Sequence, residues 1–446
     1  MDLLTCTATQ LIRLLRKKYI SSEELTQFYL QRIERYDGIG GLNTIAEINE
    51  QALRHAREFD NTPVNKRGVL FGLPLLIKDN IDVQAMHTTA GSVALADNIV
   101  ENDAPVITNL KRNGALILGK TNMTEFANYT AQGMPNGFSS YGGQVRNAYD
   151  RKKDPSGSST GSAVAVAAAF CAAAIGTDTS FSIVGCATEN GVVGYKPPHG
   201  LLSGKGIIPI SHSLDSAGTL TRNAEDAILI YSAMRGKALP AIKPLRPSEL
   251  RLAVNTYHRE QASETQLSKY EAFLMAFAED GGNPPTEISN PYTPHQRSIM
   301  RCEFRHDLEE YLLNANAKRK TLIDIVNFYE ENPEYMPFGI SMLQEAHHNA
   351  SGRLDDAEYT LAVKERDSLR ARLSDELRHF DAVLMTGPTN VMHFVGFPSI
   401  ALTLGMSRNN RHPHGMILYG ADEQRLLSAA LTLERYCDTV QRPNLL

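Results

Sequence analysis

The chain has 446 residues, enough for two or three ordinary domains or one large one, and its 42% hydrophobic and 21% charged residues are a globular composition. A formal net charge of −5 argues against nucleic acid or an anionic membrane surface as the main partner. The five cysteines, Cys6, Cys171, Cys186, Cys302 and Cys437, are scattered and form no CxxC pair, which reads as free thiols in a reducing compartment. No basic segment precedes an apolar stretch near the N-terminus, and the most apolar run, 163–175, is too short and alanine-rich to cross a bilayer. A soluble cytoplasmic protein is expected.

In chain order, residues 7–36 read as two short helices. Ser21 followed by Glu24 is a capping-box pattern leading into Leu25, Phe28, Leu30 and Ile33. Residues 44–59 read as a further helix. The run 68–83 is continuously apolar with Gly and Pro punctuation, as a fully buried strand requires, and Lys78 stands at its end. A helix near 104–113, a strand over 115–118 and a helix from about Asn122 follow. The segment 130–153 is polar and loop-like. Residues 154–162 form a Gly/Ser/Thr loop, 163–174 a small-residue helix, and 176–182 a second Gly/Thr/Ser loop ending in Ser182. Two short buried segments, 191–194 and 206–209, precede a helix over 222–235.

The texture changes near 238, with a Pro-rich linker to 250 and a short strand over 251–256. Residues 260–380 are highly charged and mostly helical, with amphipathic spacing in 300–330 and 355–379. Strands are expected over 380–385, 397–404 and 414–420, and a helix over 422–438. Alternating strands and helices favour an α/β class, a mixed β-sheet core with helices on both faces. One domain over 1–446 is expected, with a core over 65–235, a helical insertion or cap over 255–378, and a return to the sheet over 380–438.

Small residues let backbones approach closely, and successive loop N–H groups can converge on an anion, so the two central loops suit acyl transfer or phosphate binding. Gly157 and Gly161 lack the lysine that a P-loop places after its last glycine. Gly157-Ser-Ser-Thr-Gly161 matches G-x-S-x-G, with Ser159 as nucleophile, but that elbow needs an apolar strand before it and the preceding residues are polar and broken by Pro155. A Ser–His–Asp reading would need His393 or His414, and both read as ordinary histidines. His347-His348 is a lone pair on a helix; no Cys/His cluster has ligand spacing, and neither metal nor cofactor is expected. A lysine offers another base. Buried at the end of an apolar strand, Lys78 would lose water, stay largely neutral, and take a serine proton directly or through a second hydroxyl. The alternative is a lysine that extends its head to solvent.

The blocks Gly72-Leu-Pro-Leu-Leu-Ile-Lys78-Asp-Asn, Gly157-Ser158-Ser159-Thr-Gly161, Gly176-Thr-Asp-Thr-x-x-Ser182-Ile and Gly191-Val-Val-Gly-Tyr-Lys-Pro197 resemble the amidase signature family. Shorter blocks agree in order: Thr89-Ala-Gly-Ser92, Gly119-Lys-Thr-Asn122, Ser213-Leu-Asp215-Ser-Ala-Gly218 and Gly420-x-Asp-Glu-x-x-Leu426. Within the family, Tyr141-Gly-Gly-Gln144-Val-Arg-Asn147 is most similar to bacterial peptide amidases. The resemblance implies a Ser–cisSer–Lys triad: Ser182 as acyl-forming nucleophile, Ser158 as bridging serine after a cis peptide bond, and Lys78 as base. It also implies an oxyanion hole from the backbone of Thr179, Ser180, Phe181 and Ser182, with Ser159 and Asp178 behind it.

The sequence departs from the family in several places. Ser180-Phe181 stands where relatives carry Gly-Gly or Asp-Gly. Val184 replaces a frequent arginine, Gly185 and Cys186 replace bulkier or stiffer residues, Thr160 replaces Gly or Ser, and the 388–397 loop is short. If the Phe181 position needs a positive φ, phenylalanine is strained there. The expected function is hydrolysis of a carboxylic or peptide amide. The expected partner is therefore a small-molecule or peptide amide, without nucleic acid or membrane, and a homodimer is the family-level expectation. The alternative is an amidotransferase subunit passing ammonia to a partner, or a catalytically weakened binding protein. The short loop and the missing arginine favour a neutral substrate.

Overall fold

The computed structural model describes residues 2–38, 40–387, 389–407 and 412–445; Pro388, at the head of the short loop singled out above, lies outside them. The first half contains α1 (Ala8–Arg16), α2 (Ser22–Tyr36), β1 (Ile45–Ile48), α3 (Ala52–Asp60), β2 (Pro74–Lys78), α4 (Pro105–Arg112), β3 (Leu116–Thr121), a small hairpin of β4 (Phe138–Ser139) and β5 (Gly143–Gln144), α5 (Thr160–Ala167), β6 (Ala173–Asp178), α6 (Val184–Asn190), β7 (Val193–Lys196), β8 (Ser216–Thr221) and α7 (Ala224–Arg235). The second half contains β9 (Leu252–Asn255), α8 (Glu264–Glu279), β10 (Thr286–Ile288), α9 (Gln296–Asn314), α10 (Leu322–Glu331), α11 (Ser341–Asn349), α12 (Ala357–Leu377), β11 (Ala382–Met385), the short α13 (Val391–Phe394), β12 (Ser399–Met406), β13 (Pro413–Tyr419) and α14 (Glu423–Leu433).

The Ser21–Glu24 box forms: Ser21 Oγ accepts the Glu24 N–H at 3.0 Å, and the Glu24 carboxylate accepts the Ser21 N–H at 2.8 Å. Eleven strands make one mixed sheet in the order β1-β3-β2-β6-β8-β7-β12-β13-β11-β9-β10. The centre of the first half is parallel, β2 lying between β3 and β6, and every residue of those three strands is buried. β8, β7, β12 and β13 continue it antiparallel. Because β2 and β6 run the same way, Lys78 at the end of the first and Asp178 at the end of the second emerge on one edge of the sheet.

Several local expectations are corrected. Residues 45–48 form an edge strand antiparallel to β3, and only 52–60 is helical; Ile45 and Ile48, three apart and each half-buried, carry no two-residue alternation that would mark a strand. No helix starts at Asn122: the turn Glu125–Asn128 has Phe126 and Ala127 at positive φ. The run 163–174 is not one helix. α5 stops at Ala167, and Ala173 begins the central strand β6, since alanine is small enough for either period when packing decides. The 206–209 segment, expected to be buried, does bury Ile207 and Ile208, and it pairs through one isolated bridge, Ile81 to Ile207.

α5 is buried along its whole length and reaches the sheet closely because of Gly161. A Cβ there would lie 2.3 Å from the Asn122 carbonyl oxygen and 2.6 Å from that of Thr44. The helical segment between β10 and β11 packs its own apolar cluster against loops of the first half. Phe304 of α9 is its pivot, with ring centroids 4.5 Å from Tyr129 and 6.0 Å from Phe126. Phe304→Ala empties that contact; it is expected to cost roughly 3–5 kcal/mol, read as a fall in the denaturant midpoint.

Candidate active site

Lys78 is fully buried, and its Nζ lies 2.8 Å from Ser158 Oγ. It also donates to both oxygens of Thr177, Oγ1 at 2.9 Å and the carbonyl at 3.2 Å. Thr177 Oγ1 accepts a second hydrogen from Asn80 Nδ2 at 3.1 Å. Loss of water lowers the Lys78 pKa to about 7, with the more distant Cys186, Asp178 and Asp215 pulling the other way. A neutral amine has two hydrogens and one lone pair. The two Thr177 oxygens take the hydrogens, so the lone pair is left facing Ser158.

The Gly157–Ser158 peptide bond is cis. Ser158 Oγ is 3.0 Å from Ser182 Oγ, which completes a continuous chain from Lys78 through Ser158 to Ser182. The backbone around it is tied down: Thr124 N–H donates to the Ser158 carbonyl at 3.1 Å, and Ser159 N–H to that of Ser182 at 3.2 Å. Ser159 Oγ donates to the Thr177 carbonyl at 2.9 Å and accepts the Thr177 N–H at 3.2 Å, so it braces the end of β6 without joining the chain.

Between β6 and α6 the loop 179–182 turns tightly. Asp178 Oδ2 accepts the Ile183 N–H at 2.6 Å across that turn, and Oδ1 lies 3.0 Å from His393 Nδ1, both side chains having no solvent exposure. Burial pushes the Asp178 carboxyl up, but the His393 imidazole and the Ile183 N–H outweigh it and leave its pKa below the ordinary value. Thr179 is held at both ends: its hydroxyl donates to Asp215 Oδ1 at 2.6 Å, and its carbonyl accepts from Gln296 Nε2 of α9 at 3.0 Å. Burial raises Asp215 to about 7 against the Thr179 hydroxyl and the Ser211 and Ile210 amides. Phe181 sits at φ 71°, a region that costs a residue with a Cβ roughly 1–2 kcal/mol. The N–H groups of Ser180, Phe181 and Ser182 have no hydrogen-bond partner among the described residues. Ser182 itself is 5% exposed.

The residues that the resemblance singled out thus fall in one neighbourhood: Lys78, Ser158 and Ser182 in the hydrogen-bonded chain, Ser180 and Phe181 on the loop, and Ser159, Asp178 and the Thr179 side chain behind them. His393, read from sequence as ordinary, belongs to that neighbourhood through Asp178, whereas His414 is on β13 beside His412. Thr177, Asn80, Asp215 and Gln296 escaped notice. Thr177 and Asp215 lie inside motif blocks whose hydroxyl and carboxylate gave no sign of what they touch; Gln296 stands 117 positions from Thr179 with no motif around it.

A cavity of about 1400 Å³ reaches the far side of Thr177 and includes Asp215, His199, His212 and Tyr311 in its wall; Ser182 is not part of that wall. At its rim His212, His306 and Asp307 approach one another as a metal-binding set could. Both Nδ1 atoms already lie within 2.9 Å of the same Asp307 oxygen, an arrangement complete as a pair of hydrogen bonds.

The protein-family model named Amidase matches residues 24–397. A chain of the glutamyl-tRNA(Gln) amidotransferase of Moorella thermoacetica is 32% identical over 428 residues, 91% of this chain and 84% of that one. A probable amidase of Arabidopsis thaliana is 40% identical over 225 residues, but the match takes in 49% of this chain and only 44% of that relative's length. Among solved structures, an amidase family protein from Bacillus anthracis superposes with a TM-score of 0.90 at 27% identity, covering 99% of this chain and 93% of the other. The native peptide amidase of Stenotrophomonas maltophilia gives 0.88 at 30% identity and 99% coverage of both. No helix among the described residues is long and apolar enough to cross a membrane.

Thr177→Val keeps the shape at Lys78 and deletes one acceptor that favours its ammonium form. The amine is expected to titrate below its wild-type value, followed by NMR of labelled lysine, with a stability loss of roughly 1–3 kcal/mol.

Proposed function

This chain belongs to the amidase family, enzymes acting on amide C–N bonds, and from that membership we propose that it hydrolyses a carboxylic or peptide amide through an acyl-enzyme on Ser182. The observation that carries the reading is the unbroken contact from a dehydrated lysine amine to Ser182, at 2.8 and 3.0 Å. Serine is a weak nucleophile at neutral pH and needs a base poised near that pH. Lys78, lowered to about 7, has that poise.

In this reading Ser182 Oγ attacks the amide carbonyl while its proton passes to Ser158 and that of Ser158 to the Lys78 lone pair. The carbonyl oxygen becomes an oxyanion and takes hydrogen bonds from the open amides of 180–182, devices worth roughly 3–4 kcal/mol per donor elsewhere. The proton then returns along the same path to the departing nitrogen, which leaves as ammonia or an amine. Water, deprotonated by the same relay, cleaves the ester and regenerates Ser182. Asp178 and Ser159 hold the loop and the strand end, and no metal or cofactor is called for. Likeness over nearly the full length to a structure described as a peptide amidase supports an amidated peptide as the first substrate to try, and the short loop near 389–397 supports a neutral one. The cytoplasm is the proposed compartment.

A second reading has a specific observation behind it, the 91% of this chain matched by a chain of an amidotransferase. There the same acyl chemistry would release ammonia to a partner chain. Ammonia release by the chain alone from a panel of amidated dipeptides and simple primary amides favours the hydrolase; a stoichiometric co-purifying partner with no ammonia from the chain alone favours the rival.

Ser182→Ala is expected to abolish turnover, and undiminished hydrolysis by that variant sinks the assignment. Lys78→Ala should lose roughly 10²–10⁴-fold, the usual worth of a general base. Because the neutral amine is the active form, the wild-type rate should climb as pH rises through about 7 and be lost below it.

A further inference from the structure

Phenylalanine at position 181 has to be explained. It holds φ 71° in the loop that the proposed mechanism turns toward the reacting carbonyl, a backbone that glycine adopts without help and phenylalanine does not. Two neighbours are fitted to it. The His393 ring lies with its centroid 4.6 Å from that of Phe181, tilted by 59°. His393 is fully buried, and its Nδ1 approaches Asp178 Oδ1 to 3.0 Å without the alignment of a hydrogen bond; neither ring nitrogen has a hydrogen-bond partner among the described residues, so the close contact with Asp178 and the packing against Phe181 are what hold the ring. Gly185, another departure noted in the sequence, clears space: a Cβ there would stand 3.3 Å from Phe181 Cβ, and its N–H donates to the Phe181 carbonyl at 2.8 Å.

We propose that His393 is a positioning residue for the amide chemistry: anchored on Asp178, its ring holds Phe181 in the left-handed conformation and thereby aims the N–H groups of 180–182 at the reacting carbonyl oxygen. Phe181, Gly185 and His393 together do what a bare glycine would do unaided. Asp178 is thereby bound at once to the loop, through Ile183, and to α13, which delivers His393 from the other end of the chain. The charged and titratable groups around the pair are Asp178 itself, Lys78, and the buried Lys196, whose Nζ is held by the Phe397 carbonyl at 2.8 Å; Arg370 lies beyond Lys196. The proposal rests on Ser182 being the nucleophile.

A fluorophosphonate tests it without knowledge of the substrate. The Ser182 Oγ–phosphorus bond forms as the phosphorus–fluorine bond breaks, fluoride leaves, and the hydroxyl proton moves through Ser158 to Lys78; the phosphoryl oxygen occupies the amide cluster. His393→Ala should slow labelling by roughly 10²-fold, the loss seen when one oxyanion donor goes elsewhere. Phe181→Gly sets the reference rate for a turn that takes the left-handed backbone without support, whatever that rate is. In the double variant F181G/H393A labelling should recover towards that of F181G, a rescue that a merely structural role for His393 would not give. If H393A does not fold, H393N and F181G/H393N carry the same comparison. A double variant as slow as the single histidine variant, or H393A labelling like wild type while Ser182→Ala is silent, overturns the role of His393 alone. Labelling of Ser182→Ala at the wild-type rate overturns the reading of Ser182 beneath it.

Discussion

The protonation balance of Lys78 depends on water being kept from the end of β2, and much of the fold serves that exclusion. β2 is the middle of three wholly buried parallel strands, so the lysine leaves its strand already dehydrated. A cation in that position loses hydration that the Thr177 oxygens replace only in part, which is why the amine is driven towards neutrality. Other buried lysines serve as a contrast. Lys120, one strand over, is also lowered by burial but has Asp79 3.6 Å away and donates to the His87 carbonyl at 2.7 Å. It has a carboxylate to balance it, and Lys78 has hydroxyls.

The parallel pairing of β2 and β6 then converts one buried amine into a site. It sets the end of β6, carrying Thr177 and Asp178, beside Lys78, and α5 packs close enough through Gly161 to bring Ser158 between them. The segment between β10 and β11 closes over this edge with buried polar contacts of its own. Gln296 reaches the Thr179 carbonyl, and Asn390 donates to Gln296 Oε1 at 2.5 Å. Tyr329 of α10 donates to Glu125 at 2.5 Å, one residue from the Thr124 amide that holds Ser158. Burial raises Glu125 to about 7 against the Ser140 and Tyr329 donors. Each bond leaves a buried polar group unsatisfied if the helices part from the core, so the helical segment and the site are coupled.

The departures in the 180–186 stretch are related to one another. Phe181 takes the left-handed backbone, Gly185 makes room for its Cβ, and Val184 and Cys186 are fully buried, packed where an arginine would need a partner. A tight turn fixes the direction of backbone amides more than it fixes side chains. That is how side chains differ here while the amides of 180–182 keep no hydrogen-bond partner among the described residues.

Local patterns were enough for the elements with a clear period or stop signal: the Ser21–Glu24 cap, the apolar run ending in Lys78, the helix at 224–235 and the strands that return after 380. The candidate chain of Lys78, Ser158 and Ser182 came instead from the resemblance of one apolar block and two Gly/Ser/Thr-rich blocks to the amidase signature family. Where one residue type suits two periods, local reading failed: alanines at 163–174 divide between α5 and β6, and 45–48 pairs with β3 instead of coiling. Resemblance of sequence blocks could name the amine and the two hydroxyls, but only the folded sheet decided that they touch. It also decided that Thr177 takes the amine's hydrogens and that His393, 215 residues beyond Asp178 by their numbering, lies against it. The reason is physical: burial and hydrogen-bond partnership are properties of the space around a group, assembled from distant segments, and no stretch of sequence contains them.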